Sequence, residues 1–181
     1  MNIKAISNYY NFLPILVETN GNAEVIYIVK KNNLLHFLTI FKKHINLQYK
    51  MLSCISGVDC NTSNYRFQVV YDLLSLRYNS RIRVKVPVQE LTNIESITKL
   101  FINANWWERE IWDLFGIYFE NHPDLRRILT DYGFQGSPLK KNFPLTGFLE
   151  LKYNFIEKKT LYSLFEITQE YRNYEYNSPW S

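Results

Sequence analysis

Cysteine is nearly missing from this chain. Cys54 and Cys60 are the only two in 181 residues, and they do not form a C-x-x-C pair. A disulfide framework is thereby excluded, and the two read as thiols kept in a reducing compartment. Histidine is scarce too. His36, His44 and His122 never approach the cysteines, or one another, at metal-ligand spacing. No run of 18 apolar residues exists, which excludes a membrane-spanning helix by hydropathy. The phosphate-cradling words G-x-G-x-x-G and G-x-x-x-x-G-K-[ST] are absent, and so is the G-x-S-x-G nucleophile elbow. The chain therefore offers no recognisable redox-cofactor site and no standard catalytic triad. Alanine occurs only at Ala5, Ala23 and Ala104.

What replaces these residues is informative. Asn, Ile, Lys, Tyr and Phe make up about two fifths of the chain. All five have AT-rich codons, so the bias points to an AT-rich gene, of which organelle genomes are one source. Apolar residues at 46% and aromatics at 17% supply ample core, which excludes global disorder. The N-terminal MNIKAISNYYNFLPILVE has one Lys, no Arg and no cleavage motif, so no targeting leader is expected. The net charge is +4, unevenly placed: residues 1–90 carry 11 basic and 5 acidic side chains. That excess is mild. It keeps a free-standing basic RNA-binding module as an alternative, using Arg77–Lys85 and stacking aromatics.

Hydrophobic periodicity predicts a β-α-β-β-β-α-α order, an α+β class. A mainly antiparallel or mixed sheet would carry its helices on one face. Asn8–Leu16 suggests a short amphipathic helix interrupted near Pro14. Ala23–Lys30 reads as a strand, and Asn32–Ile45 as a helix capped by Asn32 or Asn33. Met51–Val58, Tyr65–Ser75 and Arg77–Val88 read as strands. In the last, Ile82, Val84 and Val86 alternate with Arg81, Arg83 and Lys85. Thr92-x-x-Glu95 spells a capping box and predicts a helix to about Ala104. Asn105-x-x-Glu108 repeats the device and predicts a second helix that ends at Gly116.

The pattern then changes. Residues 116–147 hold four of the six Gly and three of the six Pro, yet include many large apolar side chains. Irregular segments of more than ~15 residues in compact proteins are usually functional or disordered, and the apolar content of this one argues against disorder. The expectation is a compact domain over 1–115 and an extended, partner-wrapping arm over 116–181. Folding back to complete its own sheet is the alternative.

Candidate chemistry concentrates at residues 106–127. Glu108, Arg109, Glu110 and Asp113 lie on one predicted helix, with Arg109 spaced to pair with Asp113 at i+4. Glu110 and Asp113 share a face, and paired carboxylates can do acid–base work, although a charged face or interface salt bridges explain them better. His122 beside Asp124 resembles a dyad, with Pro123 and a tight turn as the simpler explanation. Arg126 and Arg127 suit bidentate contacts to carboxylates.

The stretch EREIWDLFGIYFENHPDLRRIL (108–129) resembles the signature of the 30 kDa subunit family of respiratory complex I. The likeness continues through TDYGFQGSPLKKNFPLTGF (130–148), LELKYN (149–154) and the terminal SPW (178–180). Residues 1–105 match only in layout. The resemblance marks as signature or partner-interface positions Glu108, Arg109, Glu110, Asp113, Phe115 and Gly116, then His122, Pro123, Asp124, Arg126 and Arg127. In the following stretch it marks Asp131, Tyr132, Gly133, Phe134, Gly136, Pro138 and Lys140, and further on Phe143, Pro144, Gly147 and Trp180. Three departures stand out: Lys140 and Asn142 where the family has Arg and Asp, and Leu151-Lys152-Tyr153-Asn154 for Val-Arg-Tyr-Asp. The first two put any family ion pair at 140–142 in question.

The resemblance implies a cofactor-free, non-catalytic core subunit that scaffolds the peripheral arm of NADH:ubiquinone oxidoreductase. FMN, iron–sulfur clusters and ubiquinone would sit in partner subunits. The implied neighbours are the 49 kDa-type subunit and iron–sulfur subunits, with no nucleic acid, and membrane association only through the complex. The implied place is the matrix side of the mitochondrial inner membrane, with a mitochondrion-encoded gene. The alternative is the cytoplasmic side of a bacterial plasma membrane.

Overall fold

A computed structural model describes residues 15–19, 25–60, 65–167 and 169–180. Two compact units are distinguished, Met1–Asn142 and Phe143–Ser181. The first unit is built on a five-stranded sheet of order β1-β2-β5-β4-β3. Its strands are β1 (Ile15–Thr19), β2 (Val25–Val29), β3 (Met51–Asp59), β4 (Phe67–Ser75) and β5 (Ser80–Val88). β2 and β5 run parallel and every other neighbouring pair is antiparallel, so the sheet is mixed.

Alternation decides which face is buried. The register aligns Tyr27, Val84, Tyr71 and Ile55 across the sheet, and Val86, Val69 and Gly57 in the next row. The large side chains of these rows are all buried. Helix α1 (Leu34–Lys43), entered through a 3-10 turn at Lys31–Asn33, lays Leu34, Phe37, Leu38 and Phe41 into the core. Phe37 and Phe41 stack at 4.1 Å and meet Tyr27 at 5.4 and 5.3 Å. Helix α2 (Ala104–Phe115) covers the same face at β3. A Cβ on Gly57 would lie 2.6 Å from the Phe115 ring, so glycine there lets helix and strand approach. The α+β class, with both helices on one face of a mixed sheet, is what the periodicity predicts.

On the opposite face, which also holds the buried Ile26 and Val70, Arg83 donates to both Asp72 oxygens, at 2.7 and 3.1 Å. The basic side of β5 is thus partly neutralised by β4, which removes much of the motive for an RNA-binding strand.

Several local expectations are overturned. Residues 92–103 do not form a helix. Thr92 Oγ1 bonds back to Gln89, accepting its N–H and donating to its carbonyl, which closes a turn. Ile94–Glu95 (β6) pairs in parallel with Phe119–Glu120 (β7), a partner that a local capping pattern cannot reveal. Neither Asn33 nor Asn103, the residues preceding α1 and α2, makes a side-chain cap. Asn105-x-x-Glu108 is no capping box either, because Glu108 points inward. The expected helix over Asn8–Leu16 lies mostly outside the described residues, and its end belongs to β1.

The first unit also runs further than residue 115. Residues 116–142 belong to it, held by side chains described below. In the second unit, β8 (Leu149–Asn154) and β9 (Lys159–Leu164) form an antiparallel hairpin. Phe143 and Phe148 pack edge to face at 5.5 Å ahead of it. Among the described residues no helix is long and apolar enough to cross a membrane.

Candidate functional site: two buried carboxylates and the segment they hold

α2 is amphipathic in an unusual sense, because its inward face carries charge. Glu108, Arg109 and Asp113 are all buried there beside Ile111 and Phe115. The helix ends where sequence predicts, with Gly116 in the left-handed conformation at φ 70° and its N–H on the Trp112 carbonyl. The chain then turns back along the helix, and Asp113 catches it.

Asp113 accepts five hydrogen bonds from residues 127–130. Arg127 Nε (2.8 Å) and Thr130 Oγ1 (2.6 Å) reach one oxygen. The backbone N–H groups of Ile128 (3.3 Å), Leu129 (2.7 Å) and Thr130 (2.8 Å) reach the other. Burial opposes the charge on this carboxylate. The Thr130 hydroxyl, the Thr130 and Leu129 amides and the Arg127 guanidinium outweigh burial and hold its pKa below the usual value. Arg127 passes the constraint on, donating its two terminal nitrogens to the Phe134 and Gly136 carbonyls. One buried acid thus orders an irregular stretch with little regular structure of its own.

A second carboxylate, Asp59 at the end of β3, does the same for residues 140–142. It accepts from Arg66 at 3.2 Å through both oxygens and from the Lys141 amide at 2.9 Å. Burial again opposes its charge, and the Arg66 and Lys141 hydrogen bonds lower its pKa. Arg66 also donates to Glu90 (3.0 Å) and to Asn142 Oδ1 (2.9 Å), and Lys140 Nζ reaches Glu90 at 3.0 Å. Lys140 and Asn142, the two departures in this stretch, therefore keep polar partners: a point charge and an amide oxygen in place of a planar fork and a carboxylate.

The other residues marked in sequence fall into groups. Arg109 donates Nε to the Arg126 carbonyl at 3.0 Å and does not pair with Asp113. The i+4 spacing is overridden because Asp113 is saturated by the returning chain. His122 and Asp124 form no catalytic dyad. The Asp124 amide donates to His122 Nδ1 (3.1 Å), and the Asp124 carboxylate turns to Arg126 Nε (2.9 Å) at the surface. Glu110, Pro123, Asp131, Tyr132 and Gly133 lie toward the surface, with Tyr132 96% exposed. The Phe134 amide closes a turn on the Asp131 carbonyl. Pro138 is half-buried beside Ser137, whose carbonyl receives the Lys140 amide. In the second unit Pro144 and Gly147 close a turn, and Trp180 is 95% exposed.

Sequence reading missed Asp59, Arg66 and Glu90. Arg66 lies 7 residues from Asp59 and 24 from Glu90, so no local spacing couples them. Among the described residues no group of three or more His, Cys, Asp or Glu is placed to hold a metal ion.

The sequence model of the family described as "Respiratory-chain NADH dehydrogenase, 30 Kd subunit" matches residues 27–149. That range spans most of the sheet, both helices and the two carboxylate anchors. Over 178 residues the chain is 54% identical to "NADH-ubiquinone oxidoreductase subunit 9" of Reclinomonas americana, covering 98% of this chain and 86% of that one. The subunit 9 of Prototheca wickerhamii is 48% identical over 157 residues, 87% of this chain and 82% of its own. "NADH dehydrogenase [ubiquinone] iron-sulfur protein 3" of Arabidopsis thaliana is 52% identical over 147 residues, 81% and 77% of the two chains. A chain in the structure of an archaeal membrane-bound sulfane sulfur reductase shares the fold, with TM-score 0.66 over 78% of this chain and 85% of that chain, at 20% identity.

Proposed function

The chain belongs to the 30 kDa subunit family of respiratory-chain NADH dehydrogenase, and from that premise we propose that it is a core, non-catalytic scaffold subunit of NADH:ubiquinone oxidoreductase. It associates with a respiratory membrane complex as part of that assembly. FMN, the iron–sulfur clusters and ubiquinone are assigned to partner subunits, and the 49 kDa-type subunit is the proposed direct neighbour. The proposed place is the matrix side of the mitochondrial inner membrane, and the AT-rich residue bias favours a mitochondrion-encoded gene.

The observation that carries the scaffold reading is the hairpin of the second unit. Its register puts Leu149, Leu151 and Tyr153 on one face with Leu164 and Tyr162. Each of the five is more than half exposed. The other face carries Glu150, Lys152, Asn154 and Lys159, together with Ser163 and Leu161. A two-stranded hairpin is marginal in water by itself, and an apolar face of this extent is supported by burial against a second surface. The role proposed for residues 143–181 is therefore partner wrapping. The exposed Tyr132, Arg126 and Trp180 would be further contacts of the same kind.

The test is incorporation into the native complex. Leu151→Glu with Tyr162→Glu places two charges on the apolar face. Loss of the chain from the large complex on a native gel, with the isolated chain still folded, is the expected result. Normal incorporation of the double variant would sink the reading.

A further inference from the structure

Glu108 is a buried acid that the scaffold role leaves without a task. Its carboxyl is fully buried on the inner face of α2. It accepts the Ser96 hydroxyl at 2.6 Å and the Ile97 amide at 2.8 Å. Among the described residues, its neighbour within ion-pair range is His122 Nε2 at 3.8 Å, on a side chain also fully buried.

The ring of His122 is oriented by its other contacts. Nδ1 accepts the Asp124 amide, and Nε2 faces the Asn105 carbonyl at 3.2 Å. Among the described residues, no guanidinium or ammonium offsets Glu108 instead. Arg109, the next residue, is turned to the Arg126 carbonyl. From β4, Tyr71 brings a fully buried hydroxyl with no hydrogen-bond partner among the described residues. Burial, then the Glu108 charge, raise its pKa, so it stays neutral and supplies no counter-charge.

Ser96 leads outward. Its Oγ lies 2.9 Å from Thr98 Oγ1, a contact in which either oxygen can donate. Ser96 is buried and Thr98 half-buried. Thr98 lines a surface cleft of about 280 Å³ with Lys99, Ile102, Asn105, Asn121 and Pro123. Two hydrogen-bond arrangements share one set of heavy-atom positions. With Glu108 ionised, Ser96 donates to the carboxylate. With Glu108 protonated, the acid donates to Ser96 Oγ, and the Ser96 proton turns to Thr98.

We propose that Glu108, Ser96 and Thr98 form a proton-exchange site, in which the buried carboxyl holds one proton and trades it with water in the cleft through the two hydroxyls. On release, the Glu108 O–H bond breaks and a new O–H bond forms on Ser96. The original Ser96 proton passes to Thr98, and the original Thr98 proton passes to a water or buffer base in the cleft. A carboxylate and two intact hydroxyls remain. Burial supports the loaded state near neutrality, pushing the Glu108 carboxyl up to about 7 against the Ser96 and Ile97 hydrogen bonds. Lys99 at the cleft rim is exposed and meets the proton only after Thr98.

Carbon-13 NMR titration of the side-chain carboxyls of the full chain tests the site, with Glu108→Gln identifying the signal. Glu108 is expected to titrate near pH 7, well above the ~4.3 of an ordinary glutamate. Thr98→Val keeps the buried shape and loses the outer hydroxyl. It should leave the midpoint nearly unchanged while slowing proton exchange about tenfold or more, seen as line broadening. Ser96→Ala should raise the midpoint and slow exchange as well. A wild-type midpoint in the ordinary carboxylate range overturns the proposal, and that measurement needs no variant to fold. Unaltered exchange in folded Thr98→Val overturns the route.

Discussion

Asp113 and Arg127 meet 14 residues apart in the chain, guanidinium Nε to carboxylate oxygen at 2.8 Å, and this pair turns an irregular segment into part of a domain. The acid is fully buried, and the base is only about a third exposed. Breaking such a pair from the acid side leaves an arginine and three backbone amides without their acceptor. Asp113→Ala should cost about 3–5 kcal/mol of stability in denaturant unfolding of the full chain. A loss below about 1 kcal/mol would show that residues 127–130 are held by something else.

Arg126 and Arg127 should separate experimentally although they are adjacent. Arg127→Ala removes the Asp113 pair and both carbonyl contacts, so it should destabilise the isolated chain by about 2 kcal/mol. The Arg126 side chain is 70% exposed and pairs with Asp124 at the surface. Arg126→Ala should leave stability within about 0.5 kcal/mol and weaken incorporation into the complex. Equal stability losses in the two variants would refute the division.

The two kinds of buried acid predict opposite pH trends. Asp59 and Asp113 have lowered pKa values in the folded chain, so their contribution is present above the ordinary carboxylate range and is lost as pH falls through their folded values. Glu108 is raised to about 7 from 4.5. Between these values the folded chain keeps a proton that the unfolded chain releases, so this group lowers stability as pH rises toward 7, by about 3 kcal/mol at most. Denaturant midpoints measured from pH 3 to 8 should show a maximum on the acid side of neutrality. Glu108→Gln should flatten the decline between about pH 5 and 7, and an unchanged slope would contradict the assignment.

Gly57→Ala should be destabilising by about 1–3 kcal/mol, because the new methyl meets the Phe115 ring. Phe115→Leu in the same chain should recover part of that loss. Additive costs in the double variant would mean that the two sites do not touch.

Gly116→Ala strains a left-handed helix cap and should cost about 1 kcal/mol. Thermal unfolding of the pair of chains measures it directly.

Much of the sheet is legible in the residue pattern. The 82–86 alternation places β5, and its buried face follows from period two alone. The end of α2 follows from Gly116, because few residues other than glycine accept that backbone conformation cheaply. The capping pattern at 92–95 misleads for a physical reason. A hydroxyl three residues from a carboxylate stabilises a helix only when no better partner exists, and Thr92 finds Gln89 while Ile94 finds Tyr118. Glu108 misleads similarly, since its amphipathic position suits solvent as well as a buried hydroxyl.

The α+β class, the excluded cofactor motifs and the family words of 108–148 follow from composition, periodicity and wording, because these are local properties. Long-range packing is what puts residues 116–142 in the first unit, keeps Arg109 and Asp113 from pairing, and turns Glu108 toward Ser96 and His122. Those outcomes rest on partners brought together by folding, between 11 and 82 residues apart, where spacing carries no information.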